Sequence, residues 1–407
     1  MSSERPFDVV LFGASGFVGR LVAAHLAEHA PDGARIALAG RTRAKVEMVR
    51  ADLPQRGRSW PVLVADSADR AALDELAGSA RVVVTTVGPY ARYGLPLVEA
   101  CARAGTHYAD LTGEVLFVRD AIDATDELAR STGARIVHAC GYDSIPSDLA
   151  VAELARRAAA DGAGGLTDVQ TVATARGGFS GGTIDSMRAQ VGALQERPEL
   201  RRVVGHPFTL SPDRSAEPAT RQPRDGSLPT RTADGRWSAP FVMASFNTRV
   251  VRRSNALQDW AYGRGFSYGE VMATGKGIGG AVAAGAVTGG LLAGVSAMAF
   301  RPTAALLDRV LPKPGEGPDA AARARGFFRM VTTGTTESGR RYRSVAAGAG
   351  DPGYAATAVM LGEAGLSLAL DDLPDRAGSL TPATAFGTVL ADRLRAAGHT
   401  YEVTELT

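Results

Sequence analysis

Three groups of residues in this chain have types and spacings that could do chemistry. The first is LFGASGFVGR, residues 11–20, where Gly13, Gly16 and Gly19 stand three apart directly after the apolar run Val9 to Phe12. Such a turn suits a pyrophosphate. Gly13 lets the chain reverse sharply, Gly16 has no Cβ to hold a phosphate off the backbone, and Gly19 lets the next helix pack close. The N–H groups that open that helix then face the anion. Ala14, Ser15, Phe17 and Val18 complete the turn. The second group is Arg41, Thr42, Arg43 and Lys45, behind the next apolar run. An NAD site places an acid there for the ribose hydroxyls. No acid stands there, and a guanidinium suits a 2′-phosphate, so NADP(H) is favoured over NAD(H). The third group holds proton carriers: Tyr90 and Tyr93; Tyr108, Asp110, Thr112 and Glu114; Tyr142, Asp143 and Ser144. Phenols and carboxyls can stabilise a developing oxyanion or deliver a proton.

Other patterns carry less. No tyrosine has Lys four residues later, so the Tyr-Lys pair of short-chain dehydrogenases is absent. HLAEH, 25–29, matches an inverted zinc-protease pattern. It falls at the end of the first helix, away from the strand ends where ligands bind, and reads as coincidence. Cys101 and Cys140 lack zinc-ligand spacing, so no metal site is expected. His107 and His138 lie inside strand candidates and read as core residues.

The elements that must position these groups alternate. Strand candidates are 8–12, 35–39, 61–65, 81–87, 106–111 and 135–140; helix-length amphipathic stretches are 17–29, 43–52, 68–78, 94–104 and 115–131. Short apolar strands alternating with helices read as a doubly wound parallel α/β sheet. The glycine turn then sits between strand 1 and helix 1 of a βαβ unit, the context that makes it a dinucleotide-binding motif. Asp66 closes strand 3, where adenine is commonly met, and Thr86, Val87, Gly88, Pro89 and Tyr90 close strand 4, where a nicotinamide ribose would lie.

After Pro146 the pattern changes. A helix is expected at 147–160, a strand at 167–175, a helix at 181–197 with Thr183 near its N-cap, and a long loop at 205–238. Strand-like runs follow at 240–251 and 266–275, a Pro/Gly linker at 311–318, a hairpin at 326–347 turning at Glu337 to Gly339, and helices at 353–370 and 382–397. The expected division is 1–146, 147–350 and 351–407. The chain has 407 residues, too long for one typical core. Hydrophobic content of 45%, charge of 22% and a net charge of +2 describe an ordinary globular protein and make no case for nucleic acid. Lysine occurs only at Lys45, Lys276 and Lys313, a coding bias with no functional meaning. The two cysteines and a polar N-terminus running straight into a strand point to the cytoplasm. Residues 277–300 carry no charge over a membrane-length stretch, but consist mostly of Gly and Ala, which drive insertion weakly. A packed helix in the second domain is the plainer reading; one covering an apolar cavity, or touching a membrane without spanning it, is the sharper one.

Three blocks together, GASGFVGR (13–20), TVGPYARYGLPLVEACARAGTHYADLTGE (86–114) and CGYDSIPSD (140–148), resemble the saccharopine dehydrogenase-like oxidoreductases, and within them the trans-acting enoyl reductases. DPGYAATAVMLGEA (351–364) and LTPATAFG (380–387) resemble that subgroup's C-terminal region. The resemblance implies an N-terminal NADP-binding Rossmann domain and a second, mixed α/β domain, with the last helices returning to the first domain. It implies NADPH-dependent reduction of a carbon–carbon double bond in a polyketide or lipid-like acyl chain carried by a separate synthase. A homodimer and peripheral membrane contact are the further partner expectations. Two rivals remain at this stage: a saccharopine-type imine or amino-acid dehydrogenase, and a non-catalytic NADP-binding module associated with membrane lipid. Tyr142 is the first candidate donor, with Asp143 and Ser144 beside it; the plainer reading of the three is a domain-hinge turn that caps a helix.

Overall fold

In the computed structural model, which describes residues 5–177, 181–226, 228–300, 303 and 317–407, two seven-stranded sheets share the chain. The first holds β1 (Phe7–Phe12), β2 (Ile36–Gly40), β3 (Val62–Val64), β4 (Ala80–Thr85), β5 (His107–Ala109), β6 (Arg135–Val137) and β13 (Gly378–Leu380). Their order is β13-β6-β5-β4-β1-β2-β3. Every pair is parallel. Helices cover both faces, which is why Val9, Val10 and Leu11 are all fully buried and the strands read as unbroken apolar runs. The strand order reverses between β1 and β4. In an open parallel sheet that reversal leaves a crevice at the carboxyl ends. The glycine turn and the segment after β4 both fall there.

The second sheet is mixed, in the order β14-β12-β11-β7-β10-β9-β8. It holds β7 (Leu166–Arg176), β8 (Thr230–Arg231), β9 (Trp237–Pro240), β10 (Ser267–Gly275), β11 (Phe327–Thr336), β12 (Arg341–Ala349) and β14 (Thr400–Leu406). Only β7 and β10 pair in parallel. The hairpin of β11 and β12 turns through Glu337 to Gly339, with Gly339 in the left-handed region at φ +82°. The C-terminal segment serves both sheets. Helix Ala355–Leu370 lies on helix Phe17–His29 and on β1, β4 and β5; β13 extends the first sheet and β14 the second.

Several sequence expectations need correction. The strand-like run 240–251 is mostly helix, Ala244–Ala256. Its β-branched residues favour a strand, but its polar side chains decide the outcome. Buried Arg249 reaches Asp225 and the carbonyl of Val204, and Arg252 the carbonyls of Pro207 and Tyr268. Arg253 bridges the carbonyls of Leu210 and Ser379. These anchors lock the helix in place and override local propensity. Two of these carbonyls, Pro207 and Leu210, and the carboxylate of Asp225 tie down the 205–238 segment, which contains β8 and the start of β9 as well as loop. The helix expected at 382–397 is two, Pro382–Phe386 and Val389–Ala396, separated at Gly387 with φ +58° and ψ −122°. The helix at 181 begins at the first described residue after a gap, so its N-cap lies outside the described residues, as does linker segment 311–316.

The uncharged stretch forms one helix, Gly277–Ala299. Its window Gly277–Met298 is long and apolar enough to cross a bilayer, with mean hydropathy 1.7 and only 11% buried. One face packs on β9, β10 and helix Gly181–Glu196. The other exposes Ile278, Val282, Leu292 and Val295. Among the described residues none of this helix lines the large cavity described below; it lies outside helix Gly181–Glu196, which does. β10 before it and β11 after it lie in one sheet, a poor arrangement for a single bilayer crossing.

Candidate functional site: a cavity across the two sheets

The crevice of the first sheet opens into a cavity of about 940 Å³, at the upper end of the range for cofactor and ligand pockets. Gly13, Ser15, Gly16, Phe17 and Val18 line its floor, with Arg41, Thr42 and Lys45 at one end, Asp66 beside them, and Thr86 to Tyr90 in the middle. Of the residues expected around a dinucleotide, only Ala14 and Gly19 are absent from the lining; both are buried beneath the turn. The turn is braced from below. Gly13 N–H donates to the Ala39 carbonyl at 2.9 Å, Gly16 N–H to the Gly13 carbonyl at 2.9 Å, and Thr86 Oγ1 to the Gly13 carbonyl at 3.1 Å.

The donor set fits a dinucleotide. Gly16 is the N-cap of helix Phe17–His29; no side chain caps that helix, and no acid stands in its first turn. Its opening N–H groups therefore lack intrahelical partners and face the cavity's glycine wall. Arg41 is exposed and lines the end where a 2′-phosphate would sit. When bound, NADPH supplies hydride from its nicotinamide ring.

Beyond Tyr90 the wall changes character. Leu111 and Gly113 follow β5, and Tyr142 and Asp143 follow β6. Phe241, Val242, Met243 and Phe246 come from the start of helix Ala244–Ala256 and the turn before it, Met272 from β10, and Met187 from helix Gly181–Glu196. These residues, apart from Tyr142 and Asp143, went unread in the sequence. Their side chains are ordinary core types, and only the fold brings them to one surface.

The three donor candidates separate. Asp143 lines the cavity between two glycines: a Cβ added at Gly141 would lie 2.9 Å from its Oδ2, and one at Gly113 3.7 Å from its Oδ1. Burial, reinforced by nearby Asp110, pushes its pKa up to about 7, against the pull of its own backbone N–H. Tyr142 lines the cavity with its ring, tilted against Phe328 at 5.4 Å, while its hydroxyl is buried without a hydrogen-bond partner. Burial, and then Glu270, hold that phenol well above its usual range. Ser144 is fully buried, outside the lining, and donates to Asn247 Oδ1 at 3.0 Å. It is the N-cap residue of helix Ile145–Ala160, but its side chain makes no capping bond.

The neighbouring candidates are framework. Tyr90 is buried; its hydroxyl donates to the Thr85 carbonyl and accepts from Leu111 N–H, each at 3.1 Å. Asp110 accepts from Tyr108 at 2.9 Å, pairs with His138 Nδ1 at 2.7 Å, and takes the N–H groups of Thr112 and Ala139. His107 accepts from Arg135 N–H, and burial lowers its pKa to about 4. In HLAEH, His25 pairs with Glu363 at 2.9 Å and stacks on His29.

Comparison with known proteins agrees with this layout. Residues 9–137 match the saccharopine dehydrogenase NADP-binding domain. The trans-acting enoyl reductase of Mycobacterium ulcerans is 47% identical over 100% of this chain and 99% of its own. A Mycobacterium tuberculosis protein provisionally given the same name is 51% identical over 100% of this chain and 99% of its own. Among solved structures, saccharopine dehydrogenase from Saccharomyces cerevisiae superposes with a TM-score of 0.55 at 14% identity, covering 98% of this chain and 99% of that one; the likeness speaks for the fold alone. With identities near one half along its whole length, and an NADP-binding domain at its start, this chain belongs to the trans-acting enoyl reductases of the saccharopine dehydrogenase-like oxidoreductases.

Proposed function

We propose that the protein reduces the double bond of an enoyl thioester with NADPH, on an acyl or polyketide chain delivered by a separate synthase. One observation carries the substrate class. Among the described residues lining the cavity the only cations are Arg41 and Lys45, both at the cofactor's 2′-phosphate end. The far half offers Phe241, Val242, Met243, Phe246 and Met272 instead. An amino-acid substrate, as in a saccharopine-type dehydrogenase, needs a cation for its carboxylate, and none lines that half. An apolar chain needs only the walls that are there.

Asp143 is the proton donor in this reading. With hydride arriving at the β carbon, the π electrons move to the α carbon and thioester oxygen. The α carbon then takes a proton, and a carboxyl with a pKa of about 7 keeps its proton in about half of the molecules at neutral pH. The Tyr142 ring shapes the wall behind it. Buried, unpaired Cys101 and Cys140 support a reducing, cytoplasmic setting, and the exposed apolar helix Gly277–Ala299 supports peripheral contact with lipid, the source of long acyl chains. The test is turnover of trans-2-octenoyl-N-acetylcysteamine with NADPH deuterated at the transferable position. Deuterium at the β carbon of the saturated product is expected. Reduction of an amino-acid imine, with no reduction of the enoyl thioester, would overturn the reading.

A further inference from the structure

Glu114 is 3% exposed and carries no part of the proposed chemistry, yet its carboxylate is fully engaged. Oε1 accepts from the backbone N–H of Tyr90 at 3.0 Å and from Ser186 Oγ at 2.6 Å. Oε2 accepts from the backbone N–H of Ala91 at 2.7 Å. A buried carboxylate costs free energy unless its oxygens are met, and three donors meet this one.

The donors come from two elements that touch one another beside the cavity. Tyr90 and Ala91 open the short helix Tyr90–Tyr93, directly after the Thr86–Pro89 segment that would floor the nicotinamide. Their amides are orphan donors of a helix start, so Glu114 fixes where that floor ends. Ser186 lies on helix Gly181–Glu196, which brings Gly182, Asp185, Ser186 itself, Met187 and Gln190 to the cavity. Tyr354 meets the same helix at its first residue, accepting from Gly181 N–H at 3.2 Å. From Asp185 to Leu194 every residue of that helix is half-buried. A helix without a fully buried stripe is weakly fixed by packing, so a short charge-assisted bond at mid-helix weighs more there than in a core.

We infer that Glu114 is a positioning residue that ties the nicotinamide floor to the substrate wall, so that NADPH seated on Thr86–Tyr90 also steadies helix Gly181–Glu196 for the acyl chain. The inference rests on the NADPH-binding part of the proposed function. It assigns Glu114 no contact with substrate. A glutamine could not replace it: its amide nitrogen would point a donor at Ala91 N–H or at Tyr90 N–H. Removing Ser186's hydroxyl cuts the strut at one end and leaves the cap of helix Tyr90–Tyr93 intact, which separates coupling from folding.

The test uses the full chain and hydrogen exchange with and without NADPH. In the parent protein NADPH should slow exchange in both 86–91 and 181–196. In Ser186→Ala it should protect 86–91 alone, and KM for trans-2-octenoyl-N-acetylcysteamine should rise about tenfold, the loss expected for one bond to a charged group, with kcat changed less than threefold. Ser186→Thr restores the hydroxyl and should restore both readouts. Equal protection of 181–196 in Ser186→Ala and parent, no protection of it in the parent, or failure of Ser186→Thr to rescue would each overturn the coupling. Absence of NADPH binding in the parent would overturn the functional reading as well. Binding without enoyl turnover would sink only the substrate class, and the exchange pattern would still decide for or against the strut.

Discussion

The three glycines of the turn should fail in different ways when each gains a methyl group, and the geometry says how. A Cβ at Gly19 would lie 2.2 Å from the Gly13 carbonyl oxygen and 2.9 Å from its carbon. Both are backbone atoms, and Gly13 is itself fixed by hydrogen bonds to β2 and Thr86. To reach ordinary contact the helix start must move about an ångström, an overpacking cost of about 1–3 kcal/mol or more. At a few degrees per kcal/mol for a domain of this size, Gly19→Ala should lower Tm by about 3–10 °C. A Cβ at Gly16 meets only the Gly13 carbonyl oxygen, at 3.3 Å, and Gly16 has φ −70° and ψ 166°, which any residue adopts. Gly16→Ala should therefore change Tm little. Its methyl projects where the pyrophosphate must approach, and Gly16→Val fills more of that space. Loss of one or two charge-assisted backbone bonds corresponds to about 2–4 kcal/mol, roughly 30- to 1,000-fold in NADPH affinity. The assay is NADPH fluorescence titration beside a thermal melt of each variant. A Gly16→Val protein that binds NADPH within twofold of the parent, or a Gly19→Ala protein as stable as the parent, would show that the turn is not the pyrophosphate cradle described here.

Arg41→Ala should weaken NADPH by about 10- to 100-fold, the worth of a charged hydrogen bond, and leave NADH binding unchanged; equal losses for both cofactors in parallel titrations would count against a 2′-phosphate contact. With Asp143 as proton donor, kcat should be flat below pH 7 and fall about tenfold per unit above it, because its raised pKa of about 7 marks where the acid is lost. Asp143→Asn should remove most of the rate while NADPH titrates normally, and a variant that keeps both rate and pH profile would place the donor elsewhere. The full chain should float with anionic liposomes and be released by carbonate, and Leu292→Asp should abolish flotation without altering NADPH affinity. A chain that never floats, or one that resists carbonate until detergent is added, would refute the peripheral reading from opposite sides.

What could be seen in the sequence follows from where each part draws its stability. β1, β2 and β4 are buried on both faces, so unbroken apolar runs announce them, and the glycine turn between β1 and its helix is local chemistry within ten residues. Helix Ala244–Ala256 is fixed by Arg249, Arg252 and Arg253 reaching carbonyls on segments far away, and no local pattern reports such partners. β14 alternates as an edge strand should, but its partner β12 lies some sixty residues earlier, and so short a run reads as a tail. The site divides in the same way. The cofactor side is built from consecutive residues after β1, β2 and β4, and is legible. The substrate side gathers Met187, Phe241, Phe246 and Met272 from three separate stretches, each indistinguishable in sequence from a core residue. Glu114 stood out in the sequence only as a candidate proton carrier; its role as an acceptor for three donors depends on Ser186, which lies far along the chain.

The junction between the sheets also decides which part of the site can adjust. Asp148, on helix Ile145–Ala160, is fully buried, and burial raises its pKa to about 7. It accepts from Ser254 Oγ at 2.5 Å and from Ala383 N–H at 2.8 Å, and Ser254 Oγ also meets Thr381 Oγ1 at 2.6 Å. One carboxyl thus joins three helices, from the chain's middle and its C-terminal segment, directly behind the turn at Tyr142 and Asp143. Two turns earlier on the helix of Ser254, Asn247 bridges Ser144, Ser147 and Glu270 across the same seam. Satisfied buried networks of this kind rigidify the elements they join. The turn that presents Asp143 is therefore held against both sheets, and a hinge there would have to break several buried hydrogen bonds at once. Helix Gly181–Glu196 is tied differently: Tyr354 accepts from its first residue, Glu114 meets its middle, and from Asp185 to Leu194 it is only half-buried. On the proposed function, a donor that stays put and a wall that can yield would suit an enzyme whose reacting centre is constant and whose acyl chain, brought by another protein, is not.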